Sequence, residues 1–141
     1  MKSVNPYLNF PGNTEEAFNF YKAAFGGEFA MLMRFKDSPE AANTDPGDQD
    51  KLMHIALPIG KGNMLMGTDA LESKGQKLHP GNNFHLSVSA DSDAEAERLF
   101  TALSAEGKVM VPLSKQFWGA YFGMFTDKFG VQWMISHDQN N

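Results

Sequence analysis

The chain has 141 residues, a hydrophobic content of 42% and a formal net charge of −5, which is typical of one globular domain or of two small halves that share a core. The acidic balance excludes a surface for nucleic-acid phosphates, which needs clustered Lys and Arg, and the lack of Cys excludes disulfides and thiolate metal sites. Without a signal-like apolar run or a window of roughly 18 apolar residues, we expect a cytoplasmic protein with no membrane partner.

The first predicted elements are a strand over residues 7–10 and a helix that follows it. In the strand, Leu8 and Phe10 share one apolar face. Asn13-x-x-Glu16 resembles a capping box at the start of the helix, and Gly26-Gly27 marks its end. The helix carries an apolar stripe at the spacing i, i+3, i+4, i+7, formed by Ala17, Phe20, Tyr21 and Ala24.

Three more strands are predicted in this half of the chain. The first covers residues 28–36, and the other two, 52–59 and 64–68, form a hairpin around a Gly-rich turn. Between them, residues 37–50 are acidic, rich in turn formers and without periodicity. Such a composition predicts a mobile loop. Whether this loop closes over a binding site is left open by the sequence.

Residues 70–83 are predicted to link this half to a second half with the same order of elements. The second helix opens with Ser92-x-x-Glu95 and carries a stripe that begins at Ala96, both of them 79 positions after their counterparts. Gly107 is expected to end this helix in a left-handed turn. The predicted strands cover 85–88, a segment that begins at Lys108, 120–126 and 131–136, with a tight turn at 127–130 between the last two.

A duplicated βαβββ unit predicts an α+β fold with a first module at residues 1–70 and a second at 79–141. Each mixed sheet would carry its helix on one face. Two such sheets can curl around a cavity, and binding pockets often lie between domains.

The opening segment from Asn5 to Glu28 and the closing segment from Asp127 to Met134 are similar to those of PhnB-like proteins, a branch of the glyoxalase/bleomycin-resistance (vicinal oxygen chelate) superfamily. The similarity extends over nearly the whole chain. It implies the glyoxalase/bleomycin-resistance/dioxygenase fold as a single domain of two modules, and it implies a homodimer. PhnB-like proteins have often carried a ubiquinone methyltransferase name, yet nothing in this sequence resembles a methyl-donor site.

Enzymes of this superfamily hold a divalent metal with four side chains from the first and last strands of each half. The corresponding positions here are Tyr7 (or Pro6 without a gap), Met66 or Gly67, His85, and Met134, where the metalloenzymes usually carry Glu. Because Met is a poor ligand for hard divalent ions, at most His85 is in place. We therefore expect no cofactor, with a divalent metal at His85 as the weaker alternative.

Several other side chains are candidates for binding. His85 shares a strand face with Ser87, and this face is predicted to point into the cavity. His54 is either a second cavity residue or a satisfied core histidine, and Asp69 is either a turn cap or a polar group at the cavity rim. The aromatic side chains around the last hairpin would form a stacking platform for a planar ligand, the core of the second half or a dimer contact; they are Trp118, Tyr121, Phe122, Phe125 and Trp133.

Three functions remain open at this point, and none of them assigns a catalytic residue. The first is metal-independent binding of a small molecule in the cavity. Its predicted ligand-binding residues are Tyr7, His54, Met66, His85, Trp118, Tyr121 and Met134. The second is a metal-dependent lyase, isomerase or dioxygenase that uses His85 with His54 or Asp69. The third is a module that binds a protein partner and keeps only a vestigial cavity.

Overall fold

A computed structural model of the chain describes residues 1–138. The chain divides into two compact units, Met1–His79 and the part that begins at Pro80. Each unit consists of one βαβββ module, which confirms the predicted α+β fold. Among the described residues, no helix is both long enough and apolar enough to cross a membrane.

The first module is one four-stranded mixed sheet with a helix on one face. Its elements are β1 (Tyr7–Phe10), α1 (Thr14–Phe25), β2 (Met31–Arg34), β3 (Leu52–Ile59) and β4 (Asn63–Asp69). The strand order is β1-β4-β3-β2, with β1 and β4 parallel and the other pairs antiparallel. The hairpin β3–β4 lies where the sequence predicts it, whereas β2 is shorter than the predicted strand.

Helix α1 buries its apolar stripe against this sheet. Ala17, Phe18 and Tyr21 are fully buried, and the rings of Phe18 and Phe10 meet edge to face with their centroids 6.3 Å apart. Phe20, which was predicted to lie in the stripe, is only half-buried. The stripe is therefore centred closer to Phe18 than the sequence pattern indicated.

The start of α1 differs from the predicted capping box. The side chain of Asn13 makes no cap bond, and its Oδ1 is buried without a partner. Asp69 takes this role from the end of β4: its Oδ1 accepts hydrogen bonds from the Thr14 amide (3.0 Å) and the Thr14 hydroxyl (2.6 Å). Its Oδ2 accepts from the Leu52 amide at 2.8 Å. The parallel pairing of β1 with β4 places Asp69 beside the helix start.

Residues 37–50 were predicted to form a mobile loop, but the segment is folded into three single-turn 3-10 helices at residues 35–37, 41–43 and 46–48. The Gln49 side-chain amide donates to the carbonyls of Ala41 (2.9 Å) and Thr44 (2.7 Å). Helices of one turn are too short to show a periodic pattern, which explains why the sequence did not reveal them.

The first part of the predicted linker at 70–83 belongs to the first module. Ala70 and Leu71 are buried, and residues 72–74 form another 3-10 turn. The Ser73 hydroxyl donates to the buried carboxylate of Asp48 at 2.6 Å. This bond joins the turn to the folded segment described above.

The second module has the same architecture. Its elements are β5 (Leu86–Ser89), α2 (Asp93–Ser104), β6 (Lys108–Lys115), β7 (Ala120–Thr126) and β8 (Gln132–Asp138). The strand order is β5-β8-β7-β6, which repeats the arrangement of the first sheet.

The predicted capping box of α2 is confirmed. The Ser92 hydroxyl oxygen accepts a hydrogen bond from the Glu95 amide at 3.0 Å, and the Glu95 carboxylate accepts one from the Asp91 amide at 2.8 Å. The prediction for the other end is wrong, because Glu106 takes the left-handed conformation (φ 60°). Gly107 is required for a different reason: a Cβ at this position would lie 2.3 Å from the carbonyl oxygen of Thr126.

The last hairpin turns at the predicted place. The Asp127 carboxylate accepts hydrogen bonds from the amides of Phe129 (2.8 Å) and Val131 (3.0 Å) and from the indole of Trp133 (2.9 Å). Gly130 has a φ of 91°. A turn with Asp at its first position and a left-handed Gly at its last fits the local sequence.

Candidate functional site

The sheet of the first module has a face that is not covered by α1, which we call the helix-free face. Strand alternation and register define its members as Tyr7, Asn9, Met31, Met33, His54, Ala56, Pro58, Met64, Met66 and Thr68. Across the four strands, Tyr7 pairs with Met66, Met66 with Ala56, and Ala56 with Met31. Tyr7 and Met31 are each 46% exposed. The face therefore combines apolar thioethers with a few polar groups.

Two of the predicted binding residues form a pair on this face. The Tyr7 hydroxyl lies 3.2 Å from Nδ1 of His54, and the ring centroids are 5.6 Å apart. A hydroxyl can donate or accept, so the pair suits either tautomer of the imidazole. In both cases the bond fixes the ring and leaves Nε2 for a second interaction.

A pocket of about 610 Å³ opens beside this pair, entirely within the first module. Asn9 and Thr68 form part of its lining, and they lie two residues further along the same face than Tyr7 and Met66. The remaining lining comes from β3, the end of β4, the folded segment after β2 and the segment after β4: Phe35, Glu40, Asn43, Thr44, Met53, Asp69, Ala70, Leu71, Lys74, Gln76, Lys77 and Leu78. Its volume and mixed lining are typical of small-molecule sites.

Sequence reasoning missed most of this pocket, because two of its walls come from residues interpreted as a mobile loop and a linker. One weak indication of the pocket was present in the sequence. Asn9, which lines the pocket, follows Tyr7 at the spacing i, i+2, and this spacing places both residues on one face of a strand. The contact between the two walls, in which Lys74 donates to the carbonyl of Asn43, depends on tertiary structure alone.

Charged side chains tie the folded segment to the rest of the module. Arg34 at the end of β2 donates to the carbonyl of Asp50 at 3.0 Å and forms a bidentate pair with Glu15 of α1 at 2.7 and 3.0 Å. The hydrogen bonds with Arg34 lower the pKa of the Glu15 carboxyl. Hydrogen bonds from Lys51, and then from Ser73, lower the pKa of Asp48. The pocket wall is thus held by charge-assisted bonds.

Asp69 was predicted to be either a turn cap or a polar group at the cavity rim. Its carboxylate is buried and accepts three hydrogen bonds from Thr14 and Leu52. These bonds make it a cap for the start of α1, a long-range role that differs from the predicted turn cap. The residue also belongs to the lining of the pocket.

The other predicted residues lie in the second module. Met134 is in register with Ser87 and Met124 on the face of that sheet opposite α2. His85 directly precedes β5 and is half-buried, and alternation places it on the side of Ser87. Trp118 lies in the turn between β6 and β7; it is 53% exposed and meets Phe122 edge to face with the ring centroids 5.7 Å apart.

Tyr121 requires a correction, because it lies on the face of the sheet that α2 covers. Its hydroxyl donates to the Glu97 carboxylate on α2 at 2.9 Å, and this bond raises the pKa of Tyr121. His137, its register partner on β8, pairs with Asp93 at the start of the same helix at 2.7 Å. Side chains on this face cannot share a surface with Met134, so Tyr121 does not belong with the predicted ligand-binding residues of its module.

The positions that hold a divalent metal in enzymes of this fold do not supply suitable ligands here. Tyr7, Met66, His85 and Met134 offer one phenol, two thioethers and one imidazole. Hard divalent ions need carboxylate and imidazole ligands. Within residues 1–138, no group of three or more His, Cys, Asp or Glu side chains is placed to hold a metal ion.

Paired βαβββ modules, each with one helix on a mixed four-stranded sheet, define the structural class. The chain belongs to the Glyoxalase/Bleomycin resistance protein/Dioxygenase superfamily, whose sequence profile matches residues 3–135. This confirms the superfamily that the opening and closing segments indicated.

Individual relatives agree with this assignment. The chain is 33% identical to Protein YjdN of Escherichia coli (strain K12) over 141 residues, covering 94% of this chain and 93% of that protein. The crystal structure of PA1353 from Pseudomonas aeruginosa is similar with a TM-score of 0.86 and 41% identity, over 96% of this chain and 97% of that one. The PhnB protein from Bacillus cereus has the same fold, with a TM-score of 0.76, 24% identity and coverage of 96% and 98%.

Proposed function

We propose that this chain binds a small amphipathic molecule on the helix-free face of the first module. The observation that carries the proposal is the Tyr7–His54 hydrogen bond beside a pocket of about 610 Å³. The pocket has the size of common small-molecule sites, and its lining mixes apolar side chains with polar and charged ones.

The pocket lining and the helix-free face beside it together indicate the chemistry of the ligand. Met53 and Phe35 of the lining and Met66 of the face offer soft apolar contacts, and unbranched thioethers adapt to ligands of different shape. Tyr7, His54 and Asn9 supply hydrogen bonds along one side. A planar compound with a hydroxyl or carbonyl group on one edge satisfies both requirements.

A metal-dependent lyase, isomerase or dioxygenase is the alternative that the superfamily suggests. That mechanism needs hard ligands where this chain has Met66 and Met134. The proposed contribution of His85, Trp118 and Met134 to binding stays a prediction, as do the homodimer and the cytoplasmic location.

A thermal-unfolding screen with a library of small aromatic alcohols, ketones and carboxylic acids tests the proposal. A compound that binds only the folded state stabilises it by about 2.7 kcal/mol at 100 times its Kd. We expect hits with the parent protein whose stabilisation is lost in His54→Ala and reduced in Tyr7→Phe. Tyr121→Phe, which changes a tyrosine bonded to α2, is the matched control and should behave like the parent. Hits that are equally stabilising in all four proteins would contradict the proposal.

A further inference from the structure

A group of sulfur and nitrogen donors surrounds one small residue on the helix-free face. Ala56 on β3 has Met31 as its neighbour on β2 and Met66 as its neighbour on β4. Two residues away along β3, His54 is paired directly with Met33. Ala56 is only 5% exposed although α1 does not cover it. Met31, Met33, Met66 and His54 are therefore neighbours of this position, on adjacent strands and on the same face of the sheet.

These donors are chemically consistent with one another. Met31 and Met33 stand at i, i+2 on one strand and so point to the same side of the sheet. Met33 and His54 lie directly opposite each other, where Cβ atoms of neighbouring strands are about 4.5–5.5 Å apart. Side chains as long as Met and His can converge on one atom from such positions.

We propose that Met31, Met33, Met66 and His54 form a binding site for a soft monovalent metal ion, Cu(I). Thioether and imidazole ligands favour this ion, whereas Mg²⁺, Mn²⁺ and similar hard ions need oxygen ligands. All four donors are neutral when they bind, so a monovalent ion leaves a single positive charge in the site. A divalent ion would leave two, which costs more in a partly buried environment.

The Tyr7–His54 bond prepares the imidazole for this role. When Nε2 binds a metal, Nδ1 carries the proton and donates it to a neighbouring oxygen, as metal-ligating histidines usually do. The Tyr7 hydroxyl oxygen stands 3.2 Å from Nδ1 and would accept this bond in the metal-bound state. Tyr7 is therefore a positioning residue for His54. The site goes beyond the proposed small-molecule function and does not depend on it, because it needs no organic ligand.

An anaerobic titration of the full chain with Cu(I), in competition with a coloured Cu(I) chelator, tests the site. We expect one tightly bound Cu(I) per chain. Met33→Leu and His54→Ala should each weaken binding at least about tenfold, and Tyr7→Phe should weaken it about 10- to 100-fold because it removes the acceptor that positions the imidazole. Met110→Leu, at an exposed methionine of β6, and His79→Ala, at an exposed histidine, are the matched controls and should keep the parent affinity.

Methionine-methyl NMR during titration with Ag(I), which mimics Cu(I) without redox chemistry, gives a second readout that does not depend on affinity. The methyl signals of Met31, Met33 and Met66 should shift together and saturate at one ion per chain, while that of Met110 stays in place. Weak binding of several ions, shifts spread over all nine methionines or an unchanged affinity in His54→Ala would overturn the proposal. Because Leu is close to Met in volume, an unfolded Met33→Leu variant is not expected, and its methyl spectrum shows directly whether it is folded.

Discussion

In the first module the helix begins on Asp69, which comes from the end of the fourth strand, whereas in the second it begins on Ser92, the residue directly before the helix. Both arrangements satisfy the free amides of a first helical turn. The local solution is visible in the sequence as a capping box. The long-range solution is not, because it depends on which strand end the sheet places beside the helix.

The sheet faces opposite the two helices also differ between the modules. In the first module, one row across the sheet consists of Tyr7, Met66, Ala56 and Met31, and a bonded His54 lies beside it. In the second, a comparable row consists of Ser87, Met134, Met124 and Val111. The backbone of the repeat is therefore kept while the chemistry of the two faces has diverged. The described pocket also belongs to the first module.

The largest effect is expected at the two helix caps. Asp69→Ala removes the acceptor for the Thr14 and Leu52 amides and should lower the free energy of unfolding by about 3 kcal/mol, because each buried donor without a partner costs about 1–3 kcal/mol. Ser92→Ala should cost only about 1 kcal/mol, the usual value for a local cap. Urea denaturation of both variants measures the difference. Equal losses would show that the two caps are energetically equivalent and would remove the contrast between the modules.

A smaller effect is expected where each helix rests on a glycine. A Cβ at Gly123 would lie 2.9 Å from the Leu113 backbone and 2.5 Å from the Phe100 ring, while one at Gly67 would meet the outer atoms of the Phe18 ring at 2.6 and 2.9 Å. Overpacking of this kind costs about 1–3 kcal/mol. Gly123→Ala should cost about 2 kcal/mol, because the Leu113 backbone yields less than a ring, and Gly67→Ala should cost about 1 kcal/mol. Thermal unfolding of the two variants provides the comparison, and the reverse order would argue against this packing.

Acid should destabilise the pocket wall through Asp48. Its pKa is lowered in the folded protein, so its contribution to stability is complete above its ordinary pKa and is lost as the pH falls through the lowered value. Between about pH 5 and pH 2, the parent should lose stability more steeply than Asp48→Asn, which cannot titrate at this position. Chemical denaturation at several pH values measures the two slopes. Parallel slopes would mean that Asp48 has the same pKa in the folded and unfolded chain.

The smallest effect on stability is expected at Tyr7 and Tyr121, which the sequence analysis placed in one binding site. Only one of the two should affect ligand affinity. Tyr7→Phe should weaken a compound found in the thermal screen about five- to tenfold, which corresponds to one hydrogen bond of about 1 kcal/mol. Tyr121→Phe should leave the affinity unchanged, since that hydroxyl is bonded to Glu97. Calorimetric titration of both variants with the same compound distinguishes them. A loss in Tyr121→Phe would mean that the covered face of the second sheet takes part after all.

The sequence predicted the parts of the fold that local patterns determine. The repeat at an offset of 79, the hairpins (52–59 with 64–68, and 120–126 with 131–136) and the Ser92 capping box follow from periodicity, turn residues and capping chemistry. The register within each sheet then brings Tyr7 and His54 together, 47 positions apart in the chain.

The parts that failed depend on tertiary structure. Tyr121 was grouped with Trp118 because both are aromatic and close in sequence, yet strand alternation sets Tyr121 on the covered face. The walls of the pocket were missed because 3-10 turns and the Ser73–Asp48 bond leave no periodic signal. The role of Asp69 also depends on tertiary structure, because only the pairing of β1 with β4 places its carboxylate at the start of α1.

The most direct test of the central claim, that the first module carries the binding face, is methionine-methyl NMR with a compound from the aromatic library that stabilises the parent protein. The methionines report on both modules, and Met→Leu substitutions assign their signals. The claim predicts that Met53 and Met66 shift most strongly and that His54→Ala abolishes these shifts. Shifts confined to Met110, Met124 and Met134 would contradict it and would place the binding site in the second module.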